Sequence, residues 1–254
     1  MGRDNFPKNR GKKQLERKLD RRASYDRILI VSEGSKTEPN YFKEIKSNCR
    51  LPTANVQIYP GKGTDPIQVV EYAKTLFVSG DPHKKIQSRA FEQVYAVFDR
   101  DDHKSYFDAL RLAESLNHKL KNDTKQRITF KAIASIPNFE LWLLLHYEDV
   151  QAPLSRHEVS RRLKQKQRIP NYEKGTTGVF MHTRKHLAVA IGRAKALSTK
   201  FTAYTEPEPY TGIVDLVTLL FSLCGGTKTC LESMHQELTC PRCGIWHALT
   251  GQSY

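Results

Sequence analysis

The sequence predicts an α/β protein, a parallel sheet flanked by helices, followed by a mainly helical C-terminal part. Three observations carry that prediction. The Ile-Leu-Ile-Val run at 28–31 is apolar at every position, as in a strand buried on both faces. Four such short runs alternate with stretches of helical periodicity up to about residue 150, which calls for parallel strands joined by right-handed crossovers. Beyond Val150 only helical patterns follow, at 155–165, 181–198 and 211–223.

Taken in order, residues 1–24 are basic with almost no apolar periodicity and read as a flexible tail. Arg27–Glu33 is the first strand, ended by Gly34. Thr37 is a candidate N-cap and Pro39 sits just inside a helix running to about Ser47. Asn55–Tyr59 is the second strand. Thr64 or Asp65 then caps a helix begun by Pro66, with Ile67, Val70, Ala73 and Phe77 inward. Gln93–Phe98 is the third strand, and Asp99-Arg100-Asp101-Asp102-His103 follows it at once. A helix over 105–121 places Phe107, Leu110, Leu112, Leu116 and Leu120 along one side. Ile128–Ser135 is the fourth strand, and Pro137-Asn138 leads into an apolar helix at 139–147. The expected organisation is a tail at 1–24, an α/β domain at 25–150, a helical region at 151–223 and a cysteine-containing tail at 224–254.

Composition narrows the partners. The net charge of +14 is concentrated, with nine Lys/Arg against three acids in residues 1–22 and seven against two in 156–174. Such blocks attract polyanions by releasing counterions, so DNA or RNA is the leading partner, and a plain solvated basic surface is the alternative. The apolar runs, such as Leu141–Leu145, are far below a membrane span, and the basic N-terminus has no apolar signal-peptide core. Four of the five cysteines crowd into the last thirty-one residues, unlike a secreted disulfide framework. The expectation is a reduced, cytoplasmic protein that engages no membrane.

Ligands of an open parallel sheet bind beyond the carboxyl ends of its strands. Glu33 ends strand one, and Asp99 and Asp101 leave strand three. In a strand order 2-1-3-4 the three meet at the switch point, and a D-x-D spacing in extended chain aims both aspartates the same way. Like charges this close resist joint ionisation, and hard carboxylate oxygens suit Mg²⁺ or Mn²⁺, so phosphoryl or phosphodiester chemistry is expected. The competing view is that the aspartates form a turn, with Asp102 capping the next helix.

Other candidates carry plainer alternatives. Lys36, beside Gly34, could meet a phosphate, although the full ATP-binding loop pattern is absent. Glu140 could support the metal or only complement a helix dipole. His103 could touch a phosphate or serve as a proton donor, or stand idle. Arg161, Arg162, Lys164 and Lys174 could line a nucleic-acid backbone, with Tyr172 stacking on a base, or could belong to a solvated helix. Cys240 and Cys243 form a Zn²⁺ knuckle whose second pair would be Cys224 with Cys230, or His235 with His247.

Three runs, VSEGSKTEPNYF (Val31–Phe42), VFDRDDH (Val97–His103) and SIPNFELWLLLH (Ser135–His146), resemble the RloB-like proteins in the same order. That resemblance implies a Toprim domain. It makes Glu33 the general acid/base or metal-binding glutamate, Asp99 and Asp101 the magnesium pair, and Glu38 a ligand for a second metal. A family-like Y-x-K segment marks Lys174 as a stabiliser of transition-state charge. Phage defence by abortive infection and an AAA-type ATPase partner are implied in the same way. The expected function is Mg-dependent cleavage of nucleic acid. The rivals are a non-catalytic nucleic-acid-binding subunit working with that ATPase, and a nucleotide phosphotransferase.

Overall fold

The computed structural model describes residues 26–224 apart from Thr64. The N-terminal tail and the Cys240–Cys243 zinc knuckle lie outside those residues. A five-stranded sheet has the order β2-β1-β3-β4-β5. Its strands are β1 (Ile28–Ser32), β2 (Val56–Pro60), β3 (Gln93–Asp99), β4 (Thr129–Ile136) and β5 (Tyr210–Thr211). The first four are parallel, and β5 pairs antiparallel with β4. The expected 2-1-3-4 order is present, so β1 and β3 are neighbours.

Strand alternation sorts the side chains into two cores. Leu29 and Val31 of β1, with Val94, Ala96 and Phe98 of β3, face one side. There they meet α2 (Pro66–Ser79) and α3 (Tyr106–Leu116), which contribute Val69, Val70, Ala73, Phe77, Ala109 and Leu110. Ile28, Ile30, Tyr95 and Val97 face the other side, against α1 (Thr37–Asn48) and the C-terminal helices. Those helices are α4 (Glu140–Leu144), α5 (Arg156–Leu163), α6 (Val179–Thr183), α7 (Leu187–Ser198) and α8 (Ile213–Ser222). The helical region thus completes the core over one face of the sheet.

The element boundaries follow local chemistry. Asp65 accepts the Ile67 N–H and caps α2, whose first residue is Pro66. Ser105 holds the N-cap position of α3, not Asp102, and that helix stops at Leu116. Lys36, not Thr37, is the N-cap of α1, and the Thr37 hydroxyl instead accepts the Gly175 N–H at 2.8 Å. Among the described residues no helix is long and apolar enough to cross a membrane.

A fifth strand was not expected after Val150. It consists of two residues, too short for any alternation to show. The pairing is reinforced by a buried 3.0 Å hydrogen bond between the Ser135 and Thr211 hydroxyls.

Helix α4 is buried at every position, which is why it lies beneath the C-terminal helices instead of on the surface. Trp142 donates its indole N–H to the Tyr41 hydroxyl at 2.9 Å, and Tyr41 packs edge-on against Phe139 and Phe180. This junction locks α4, α1 and α6 together. It fixes where Glu38 and Glu140 stand, because each begins one of the locked helices.

Candidate active site

The register delivers two carboxylates to one place. Ser32 pairs with Val97, and the Glu33 N–H donates to the Val97 carbonyl at 2.8 Å, which sets Glu33 beside the end of β3. Its Oε2 then accepts the backbone N–H of Asp99 at 3.1 Å. Its Oε1 lies 3.2 Å from His103 Nε2. Two residues distant in sequence are therefore linked through the backbone at the carboxyl rim of the sheet.

Beside them opens a pocket of about 220 Å³ lined by Gly34–Glu38, Asp99, Glu140, Lys174 and Gly175. Glu38, Asp99 and Glu140 are buried, at 6%, 8% and 2% exposure. Crowded acids with little water resist ionisation. Burial pushes Asp99 well above the carboxylate range, and repulsion from Glu38, Glu140, Glu33 and Asp101 adds to it. Burial likewise raises Glu38 to about 7, with Glu140 and Glu33 adding and its own N–H and Lys174 easing the shift. Glu33 is raised chiefly by burial, against the pull of the Asp99 N–H and His103.

Gly34 makes this packing feasible, because a Cβ there would fall 1.8 Å from Glu38 Oε2. Across the pocket Gly175 has a φ of +92° and packs against the Lys36 side chain, a conformation glycine adopts without strain.

Asp101 departs from the extended-chain reading of D-x-D. Strand β3 ends at Asp99, and Asp101 adopts a left-handed φ of 30° while its N–H donates to the Pro137 carbonyl at 3.1 Å. The chain turns, so the two aspartates do not project side by side. Asp101 faces a neighbouring cleft with Arg100, Asp102, Leu154 and Glu206. Its Oδ2 lies 3.6 Å from Arg156 Nη1, and its Oδ1 is buried without a hydrogen-bond partner.

The second basic block is largely committed elsewhere. Arg161 and Arg162 both pair with Glu158, Arg162 also pairs with Glu148, and Arg168 pairs with Glu148 at 2.6 Å. Lys164 is exposed on the same stretch, while Lys36 and Lys174 reach the pocket.

Tyr172 corrects the stacking expectation. It is buried, and its hydroxyl donates to Glu140 Oε1 at 3.0 Å, so its ring is not offered to a base. Burial and the adjacent Glu140 push its hydroxyl far above the usual range, which keeps it a donor. Replacing Tyr172 with Phe leaves Glu140 buried without that donor. The expected cost is about 1–3 kcal/mol, read as a lower urea midpoint. An unchanged midpoint would show that the carboxylate has another donor.

The donor set has the chemistry of a divalent-ion site. The oxygens are hard, several belong to acids that repel one another, and Asp101 Oδ1 is orphaned, all of which suit Mg²⁺ or Mn²⁺. Among the described residues, however, no three of these side chains surround one point as they stand. Their chemistry fits an ion, and side-chain rotation is needed to enclose it.

Arg156, next to Asp101, and the Tyr172–Glu140 bond are site features that sequence reasoning did not single out. Only the position of Arg156 within the basic block hinted at the first. No curated protein and no solved structure matches the chain at a significant level. The family described as RloB-like protein matches residues 28–220, which include every acid of the cluster and Lys174. The chain therefore belongs to the RloB-like protein family.

Proposed function

We propose that this protein cleaves phosphodiester bonds in nucleic acid with the aid of Mg²⁺ or Mn²⁺. The observation that supports it best is the meeting of Glu33 and Asp99 at the carboxyl rim of neighbouring strands, joined by the 3.1 Å bond. Glu38 and Glu140 sit on the adjoining pocket, and Lys36 and Lys174 line it with them. The Toprim assignment and a place in anti-phage defence belong to the same proposal, as does an ATPase partner, all drawn from the family resemblance.

Asp99 and Glu38 would hold the ion, joined by Asp101 once its side chain turns in from the neighbouring cleft. When bound, it activates a water and stabilises developing charge on phosphate oxygens. The chain's own groups supply the rest. Lys36 and Lys174 bind and orient the scissile phosphate. Glu33 accepts a proton at Oε1, next to His103 Nε2, which relays it to solvent or to the leaving oxygen. Tyr172 fixes the direction of Glu140.

The test incubates purified protein with DNA and with total RNA, with and without Mg²⁺ or Mn²⁺, beside Asp99→Asn and Glu33→Gln variants. Metal-dependent cleavage lost in both variants is expected. Binding without cleavage by the wild-type protein would sink the enzymatic reading. It would favour a regulatory subunit that binds nucleic acid for its ATPase. One observation favours that second reading, the lack of three acids already arranged about one point among the described residues. Consumption of free nucleotides with polymer left intact would instead indicate a phosphotransferase.

A further inference from the structure

Lys174, with Lys36, stands apart from the arginines near the site. Arg161 and Arg168 are paired with Glu158 and Glu148, Arg162 with both, and Arg156 lies near Asp101. Lys174 lines the pocket with Glu38, Asp99 and Glu140, yet among the described residues it makes no ion pair with any one of them. Its charge is shared by the group. Burial alone would lower its affinity for a proton, but Glu140, Asp99, Asp101 and Glu38 together raise it.

The loop that carries Lys174 is anchored. The Gly175 N–H donates to Thr37 Oγ1 at 2.8 Å, and the N–H groups of Gly178 and Phe180 donate to the Glu44 carboxylate at 2.6 and 2.9 Å. These bonds hang the loop from α1, the helix that bears Glu38. The backbone of residue 174 is thereby fixed beside the pocket. Its side chain is exposed on a stem of four methylenes. An ammonium on a flexible stem has no planar fork to dock on a carboxylate, so it leaves such a site more readily than a guanidinium does.

We propose that Lys174 is the built-in counter-cation of the carboxylate pocket, occupying it electrostatically until a divalent ion displaces the ammonium group toward a substrate phosphate. The inference rests on the metal-dependent reading above and deepens it, because one residue then both tunes metal affinity and recruits the polyanion. Metal binding and nucleic-acid binding become coupled through Lys174.

The test titrates Mn²⁺ into wild-type, Lys174→Met and Lys174→Arg proteins by calorimetry, and measures binding of a labelled oligonucleotide with and without Mn²⁺. Removing a competing charge is expected to tighten Mn²⁺ binding by Lys174→Met on the order of tenfold. Lys174→Arg should bind Mn²⁺ more weakly than wild type, because its guanidinium leaves a carboxylate less readily. The gain in oligonucleotide affinity caused by Mn²⁺ should shrink in Lys174→Met. Melting in EDTA confirms that each variant folds, and Lys174→Gln replaces any that does not. Equal or weaker Mn²⁺ binding by the neutral variant overturns the inference while leaving the metal site intact. Failure of every protein, wild type included, to bind Mn²⁺ removes the metal reading and this inference with it.

Discussion

Asp99→Asn protein is expected to lose at least three orders of magnitude of metal-dependent cleavage, and in EDTA at neutral pH to melt at a higher temperature than wild type. Both outcomes have one cause. Asp99 is 8% exposed at the end of β3, where burial and four neighbouring acids oppose its charge. Asparagine keeps the shape and one oxygen but removes the ionisable oxygen that a hard cation needs. The folded protein then no longer carries a buried acid under repulsion, so the metal-free state gains stability. Loss of function with gain of stability is the signature of a strained active site. A simple structural role for Asp99 predicts the reverse, a less stable protein. Cleavage assays and thermal melts on the same preparation distinguish the two. Retained cleavage, or a lower melting temperature in EDTA, would count against Asp99 as a member of a functional cluster.

Much of this arrangement is legible in the sequence because it depends on backbone register. The short apolar strands and their helical crossovers announce a parallel sheet, and in the 2-1-3-4 order the structure has, β1 and β3 are neighbours. That order puts Glu33 beside Asp99 whatever their side chains do. The features that escaped depend on tertiary contacts. The turn at Asp101 was one of two readings of D-R-D, and because aspartate suits both an extended and a left-handed backbone, the pattern alone does not choose between them. Tyr172 and Glu140 are thirty-two residues apart, and no pattern shows that a tyrosine in a basic segment is buried against a glutamate. The pairing of Glu158 with Arg161 and Arg162 was readable, because spacings of three and four place these groups on one helical face. A basic block is an interface candidate only after its internal pairs have been subtracted.

The acids also set a pH dependence whose sign can be worked out. Glu38 is raised to about 7 in the folded protein, against about 4.3 for an unfolded glutamate. A raised carboxyl pKa contributes full stability below the unfolded value, and that contribution is lost as pH rises to the folded value. Glu38 therefore costs the metal-free protein up to ~3 kcal/mol between about pH 4.5 and 7, at ~1.4 kcal/mol per pK unit. His146 acts oppositely in the acid part of this range. It is fully buried and lowered to about 3, so its contribution is lost as pH falls below about 6.5. The two slopes offset in the wild-type curve between pH 5 and 6.5, and the informative quantity is the difference from Glu38→Gln. In EDTA that variant should match wild type near pH 4 and exceed it by up to ~3 kcal/mol at pH 8, measured by urea denaturation. Saturating Mg²⁺ should then close most of that gap at pH 8. Binding at 100 times Kd stabilises wild type by about 2.7 kcal/mol, whereas Glu38→Gln has lost an anionic ligand. A difference independent of pH would mean that Glu38 is not held against its charge. A difference that Mg²⁺ leaves untouched would mean that the ion does not relieve the cluster.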